Sequence, residues 1–283
     1  MTGTFEVYMK TLIIFSLIIS VNAHAFTLNN NFGGSFKSNK VSVYVASDTT
    51  CANAGLAAAD LASLVGPAVD NFWNKVPTSA LRLKAAGFTA PIGADINNDR
   101  LCAPTDESCI SESTAPLIPP VTDILIACNR NDENFGGATG TNVLAVTVPN
   151  NFSGSKITGA VILINDFSSV FSGLSHSDKI SVIAHEIGHA IGLGHAEDKN
   201  NDALMYYKTI NIRTNLAQDD IDGVSYLYPV KLSDGCGLFG GTIISNGDDQ
   251  KAPPFWQMGA ALALLVLLFE SIRLLRRPKT CSP

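Results

Sequence analysis

His185-Glu186-Ile187-Gly188-His189-Ala190-Ile191-Gly192-Leu193-Gly194-His195 is the stretch on which the reading of this chain rests. Its spacing is H-E-x-x-H-x-x-G-x-x-H. Residues four apart on a helix share a face, so His185 and His189 can present two imidazoles to one metal ion. Glu186 lies beside them, placed to reach a water rather than the metal. Gly192 can take positive φ, which lets the helix stop and the chain turn back. That turn brings His195 round as a third nitrogen ligand. Three protein ligands leave the fourth tetrahedral position open, the pattern of a catalytic rather than a structural zinc. The bland alternative is an amphipathic helix carrying satisfied histidines. The census weighs against it, because three of the five histidines of the chain fall in this one run.

The rest of the composition bounds what surrounds that run. A chain of 283 residues holds one catalytic domain plus extras. The net charge of −6 leaves no basic footprint for nucleic acid, so nucleic acid is not an expected partner. Much of the hydrophobic content lies in two apolar segments, one at each end. Residues 12–21 form a short apolar run preceded by Lys10 and followed by Ala23-His24-Ala25. That order reads as a secretory signal peptide over 1–25, with an uncleaved anchor as the alternative. Residues 255–275 form the second segment, and Arg276, Arg277 and Lys279 follow it. Its part free of charged residues, 255–269, gives about 22 Å of helix against a bilayer core of about 30 Å. Extension to 275 reaches the needed length and includes Glu270 and Arg273 near an interface. The reading is a transmembrane or sorting segment, with 276–283 as a basic cytoplasmic tail. A buried core helix is the alternative. The catalytic part would then lie outside the membrane, in the cell envelope or at the surface, anchored by this segment or released when it is cut.

Export makes disulfides plausible among Cys51, Cys102, Cys109, Cys128 and Cys236, with Cys281 beyond the apolar tail. Cys102 and Cys109 are near enough in sequence for a small loop, and the pairing stays open. Along the chain, residues 26–40 read as an extended polar lead-in and 41–46 as a strand. Residues 52–74 read as a long helix, kinked or broken at Gly66-Pro67. A short strand over 81–85 precedes an irregular loop over 86–120. Three strands follow, over 123–128, 142–148 and 157–165. Ser175-x-x-Asp178 has the form of a capping box that opens the metal helix, which should run to about residue 193. A last helix covers 219–227, and 231–254 read as a linker. Asp95-x-Asn97-x-Asp99 has the alternating oxygens of a calcium loop, but Arg100 stands where such a loop needs glycine. An Asx-rich turn is the preferred reading there, and calcium the alternative.

From residue 41 to 229 the chain resembles the metzincins, and within them the matrixins. The resemblance is carried by the run 185–195, by Ala203-Leu204-Met205-Tyr206 and by Asp219-Asp220-Ile221-Asp222-Gly223-Val224-Ser225-Tyr226-Leu227-Tyr228. It implies a domain over 26–230 of α/β (α+β) class, with a twisted, mostly parallel five-stranded sheet on long helices. It implies that Met205 belongs to the Met-turn beneath the zinc. It implies that an antiparallel edge strand, here Val143, Leu144, Ala145 and Val146, pairs with peptide substrate. Asp219 and Asp220 would support the site from the start of the last helix, where they also cap it. Ser181 falls near the base of the main specificity pocket of the family.

Four departures accompany the resemblance. Only His176 is left over for a second, structural zinc site of the family, which is therefore not expected. No P-R-C-G run precedes the catalytic part. Ala196 follows the third histidine where vertebrate matrixins have Ser or Thr. Tyr207 stands two places after Met205, where matrixins usually have proline. Two readings of Tyr207 stand: a hydroxyl near the metal that stabilises the oxyanion or acts as a fifth ligand, or a wall of the specificity pocket. The resemblance implies a zinc endopeptidase in which His185, His189 and His195 hold one zinc, with calcium an option. Glu186 is the general base and then the general acid. A zinc-binding pseudoenzyme, or an adhesin or assembly protein on the same fold, is the alternative, and an intact Glu186 weighs against a pure binder.

Overall fold

The structure, a computed structural model, describes residues 26–29, 34–89, 96–100, 121, 123–137, 142–167, 169–197, 200, 202–207 and 213–230. The signal peptide, the linker, the apolar tail and the basic end read from the sequence lie outside these residues. No helix among the described residues is long and apolar enough to cross a membrane.

The strands are β1 (Lys40–Ala46), β2 (Thr50–Cys51), β3 (Leu56–Ala57), β4 (Arg82–Thr89), β5 (Asp123–Asn129), β6 (Ala145–Ser153) and β7 (Lys156–Asn165). The helices are α1 (Ala58–Asp70), α2 (His176–Ala190) and α3 (Gln218–Leu227). Five strands form one sheet in the order β4-β1-β5-β7-β6. β4, β1, β5 and β7 run parallel, and β6 returns antiparallel to β7 at the edge. This is the mostly parallel five-stranded sheet with an antiparallel edge strand that the family resemblance implies.

Strand alternation divides the core. Ile124, Ile126 and Cys128 of β5 face the helices, together with Val43 and Val45 of β1 and Ile162 and Ile164 of β7. Leu61, Leu64 and Val65 of α1 and Ile183, Ala184 and Ile187 of α2 complete that layer. Leu125 and Ala127 point the other way, onto Val161, Leu163, Ile96 and Phe135. The central strands are therefore apolar on both faces, as parallel strands buried on both sides must be.

Several boundaries differ from the sequence reading. α1 begins six residues later than 52, because residues 50–57 form the small antiparallel pair β2–β3. Pro67 sits inside α1 without ending it. Pro67 has no N–H to give the carbonyl of Ser63, and Ser63 lies on the exposed side of the helix. β4 runs on to Thr89, so the irregular region starts later than 86. Its register against β1 slips between Val43 and Val45, and Gly87 there has φ +77°. A bulge at glycine lets the strand continue instead of stopping. β6 starts at Ala145 and passes through Pro149, where its register shifts; an edge strand can hold a proline because its outer side needs no ladder donor. Val143 and Leu144 lie just before the strand. Their carbonyls still accept from Asn165, from its side-chain amide at 2.7 Å and its backbone N–H at 2.9 Å.

Two ties hold the frame on which the site is built. Cys51 and Cys128 form a disulfide with a Cα–Cα distance of 5.3 Å and a sequence separation of 77. It joins the β2 hairpin to the end of β5. Cys102, Cys109 and Cys236 lie outside the described residues. The second tie is Asp220 in the first turn of α3. Its carboxylate accepts from the N–H of Leu204 at 2.7 Å, Met205 at 3.1 Å and Ala217 at 2.9 Å. Burial pushes this carboxyl up to about 6, while the three N–H groups and their bonds act the other way.

Opening the disulfide in a Cys51→Ala/Cys128→Ala variant should lower the unfolding free energy by about 2–4 kcal/mol in urea titrations. An unchanged midpoint would mean that the bond is not made in the native protein. Asp220→Ala strands three N–H groups and should cost about 3 kcal/mol in the same titration. A loss within error of zero would show that the 204–205 turn does not depend on this carboxylate.

Candidate metal centre

Ser175 caps α2: its hydroxyl accepts from Asp178 N–H at 3.2 Å and donates to the Asp178 carboxylate at 2.6 Å. His176 is the first residue of the helix. His185, Glu186 and His189 fall in its last three turns. The helix ends at Ala190, three residues before the expected end, with a complete Schellman turn. Gly192 N–H bonds the carbonyl of His189 at 3.0 Å, and Leu193 N–H bonds that of Gly188 at 2.9 Å. Gly192 has φ +108°, and a Cβ there would stand 2.5 Å from the Gly34 carbonyl oxygen. Only glycine meets both demands.

The turn delivers His195 to the other two histidines. One ligand nitrogen from each ring lies within 4.8 Å of the others. His189 Nε2 and His195 Nε2 are 3.1 Å apart. Two nitrogens on one tetrahedral zinc are about 3.3 Å apart, so this pair has the spacing of two ligands on one ion. The outer nitrogens are already engaged. His185 Nδ1 lies 2.7 Å from Leu204 O, and His189 Nδ1 lies 2.9 Å from Leu193 O. A carbonyl only accepts, so both Nδ1 atoms carry protons and both Nε2 lone pairs face inward. Burial lowers His185 and His189 to about 4, and it lowers His195 as well, so all three rings are neutral at pH 7. Three neutral, converging imidazoles are a donor set for zinc.

The floor of the site is made by packing. Trp73 is buried and donates from Nε1 to the Ala184 carbonyl at 2.9 Å. A Cβ on Gly188 would meet Met205 Sδ at 2.3 Å and the Trp73 ring at 2.8 Å. Met205 thus lies directly under the helix face that carries the histidines. The Leu204 peptide is held at both ends, its N–H by Asp220 and its oxygen by His185. Ala196 N–H, just after the third histidine, bonds the Met205 carbonyl at 2.9 Å. Asp219 is buried and accepts from the Asn200 amide at 2.9 Å. Tyr207 is 56% exposed, with its ring 5.3 Å from that of His195. Ser181 donates to the Arg213 carbonyl at 2.7 Å.

Glu186 is buried, and its carboxyl is pushed up by burial. Its hydrogen-bond partner is Thr147 of β6, which the sequence reading did not single out. A polar residue between Val146 and Val148 was the available signal. The lead-in was also underread. Residues 26–29 run beside the metal turn, with Leu28 bridged to Leu193, Asn29 N–H on Gly192 O at 3.0 Å and Gly194 N–H on Thr27 O at 2.9 Å. Thr27 Oγ1 donates to the His195 carbonyl. Tyr228 donates to Ile191 O at 2.7 Å and accepts from Phe36 N–H at 2.8 Å, which fixes the end of α2 from below. In the proposed calcium loop, Asn97 Oδ1 accepts from Thr49 Oγ1 and Thr50 N–H, and Asp99 O accepts from Asn129 and Asn134. The Asn97 oxygen thus serves protein donors, as in an Asx-rich turn, while the Asp99 oxygen is its backbone carbonyl; Asp95 lies outside the described residues.

Known proteins share this arrangement in part. The family model described as Matrixin matches residues 17–229. Metalloendoproteinase 1 of Glycine max is 54% identical over 56 residues, 19% of this chain and 17% of that protein. Metalloendoproteinase 2-MMP of Arabidopsis thaliana is 31% identical over 111 residues, 38% of this chain and 29% of that protein. Stromelysin-2 of Rattus norvegicus is 38% identical over 65 residues, 22% of this chain and 13% of that protein. The aligned stretches span less than a third of the length of these relatives. The family match is broader, running from before β1 to the end of α3. With the sheet order and the histidine turn, it establishes that the chain belongs to the matrixin family.

Proposed function

We propose that this chain is a zinc-dependent endopeptidase that cuts extracytoplasmic proteins. The observation that carries this reading is the convergence of three imidazoles beside a buried carboxylate. His185, His189 and His195 would hold the ion through Nε2. Zinc bound there would supply Lewis acidity to a water and to the scissile carbonyl. Glu186 Oε2 is engaged by Thr147, which leaves Oε1 to take the proton as the water oxygen attacks the carbonyl carbon. Glu186 then returns that proton to the amine nitrogen as the C–N bond breaks. Desolvation raises its proton affinity, which suits a group that must both accept and donate.

The substrate chain extends the sheet. β6 pairs only with β7 among the described residues, so its outer backbone groups can bond a peptide. Val143, Leu144, Ala145 and Val146 lie where that peptide would run toward the ion. Tyr207 flanks His195 and lends its hydroxyl to the developing oxyanion. Asp220 braces the turn containing Met205, Asp219 holds Asn200 ahead of it, and Gly192 makes the histidine turn. The domain runs over 26–230, behind a signal peptide over 1–25. The linker 231–254 leads to the apolar segment 255–275 and the basic tail 276–283, which tether the enzyme to a membrane or sort it to the surface. The disulfide supports an oxidising compartment, in keeping with export.

Purified protein should cleave casein or gelatin, and a zinc chelator should abolish the cleavage. Glu186→Gln should keep its zinc by elemental analysis while kcat falls by about 10²–10⁴. His189→Ala should lose the metal itself. High residual turnover in Glu186→Gln would end the role given to that carboxylate. Tyr207→Phe should lower kcat by about 10-fold with KM little changed. An enzyme as fast as wild type would assign Tyr207 to the pocket wall instead.

A further inference from the structure

β6 carries one polar side chain into the metal helix. Val146 and Val148 pack on the far face of the sheet with Leu125 and Val161, whereas Ala145 joins the helix-side core. Period-2 alternation therefore sends Thr147 toward α2. Its partner in β7 is Ile162, so its backbone register is fixed by the ladder. Its Oγ1 stands 2.5 Å from Glu186 Oε2 and 3.1 Å from the Glu186 backbone oxygen. One hydroxyl proton faces two acceptors, and the carboxyl oxygen is the closer of them. The Glu186 carboxylate has no other hydrogen-bond partner among the described residues.

A glutamate side chain has three rotatable bonds, and this one has a single tether. Thr is β-branched and stiff at χ1, so a hydroxyl on a laddered strand is a fixed point. A cation in the same place would neutralise the carboxylate; a hydroxyl orients it and leaves its charge. A one-residue slip of β6 would replace the hydroxyl with a valine methyl.

Building on the proteolytic reading above, we propose that Thr147 is a positioning residue: its hydroxyl holds the Glu186 carboxylate in the orientation that directs Oε1 at the histidine site. It also links the strand that receives substrate to the group that moves the proton.

Thr147→Val keeps the shape and removes the hydroxyl, and Thr147→Ser restores the hydroxyl. The zinc-loaded full chain of each variant is assayed on a fluorogenic peptide, zinc content is measured, and each is crystallised to locate the Glu186 carboxylate. The expected result for Thr147→Val is a kcat about 10- to 100-fold lower, with KM and zinc content unchanged and the carboxylate turned or split between orientations. Thr147→Ser should sit within about threefold of wild type with the carboxylate in place. Wild-type kcat in Thr147→Val, or equal loss in both variants, would overturn the proposal. A wild-type chain with no chelator-sensitive cleavage would sink the proteolytic reading. The crystals then decide the positioning role alone: a carboxylate unmoved in Thr147→Val overturns it, and one displaced there but kept in Thr147→Ser upholds it.

Discussion

Three imidazoles from one continuous stretch meet only because α2 ends within two residues of Ala190. A helix carried further would point residue 195 away from the face that holds His185 and His189. The Schellman turn at Gly192 is therefore the constraint on which the centre depends. The left-handed residue cannot bear a side chain there, both because of its φ and because the Gly34 carbonyl occupies the space. Around that turn the chain adds restraints from three directions: residues 27–29 beside it, Tyr228 below it and Ala196 on the Met205 carbonyl. Each is a backbone hydrogen bond or a hydroxyl on a backbone group, so each fixes position without adding charge near the histidines.

The groups behind the histidines work in the same way. Leu204 is bonded at both ends of its peptide, so Asp220, the turn and His185 form one rigid chain. An imidazole so held keeps its tautomer and its direction, and both are needed before a cation arrives. Met205 contributes bulk beneath Gly188, where a methyl group on the helix would collide with it. The acidic pair on α3 is divided between tasks: Asp220 latches the turn, and Asp219 binds Asn200. Edge strand and helix are joined through Thr147 and Glu186, so the antiparallel edge of the sheet touches the carboxyl that neighbours the histidines.

Much of this could be read from the chain alone. The ligand trio, the glycine turn and the acid at 186 share one local stretch, and helix geometry converts their spacing into position without help from elsewhere. Strands β1, β5 and β7 declared themselves as apolar runs, and α2 by its Ser175 cap. What could not be read were features set by partners remote in sequence. The bulge that prolongs β4 depends on its register with β1, and the start of α1 on the β2–β3 pair. The choice of Cys128 for Cys51 depends on β5 lying beside the hairpin, 77 residues on.

Sequence by itself determined that His185, His189 and His195 could meet in one place, because three imidazoles and a turn are encoded within a few residues of one another. Tertiary structure alone decided what holds that place still. Thr147 reaches Glu186 across 39 positions, Tyr228 reaches Ile191 across 37, and Thr27 reaches His195 across 168. Contacts over such separations depend on strand order and side-chain direction, and neither is written in local spacing.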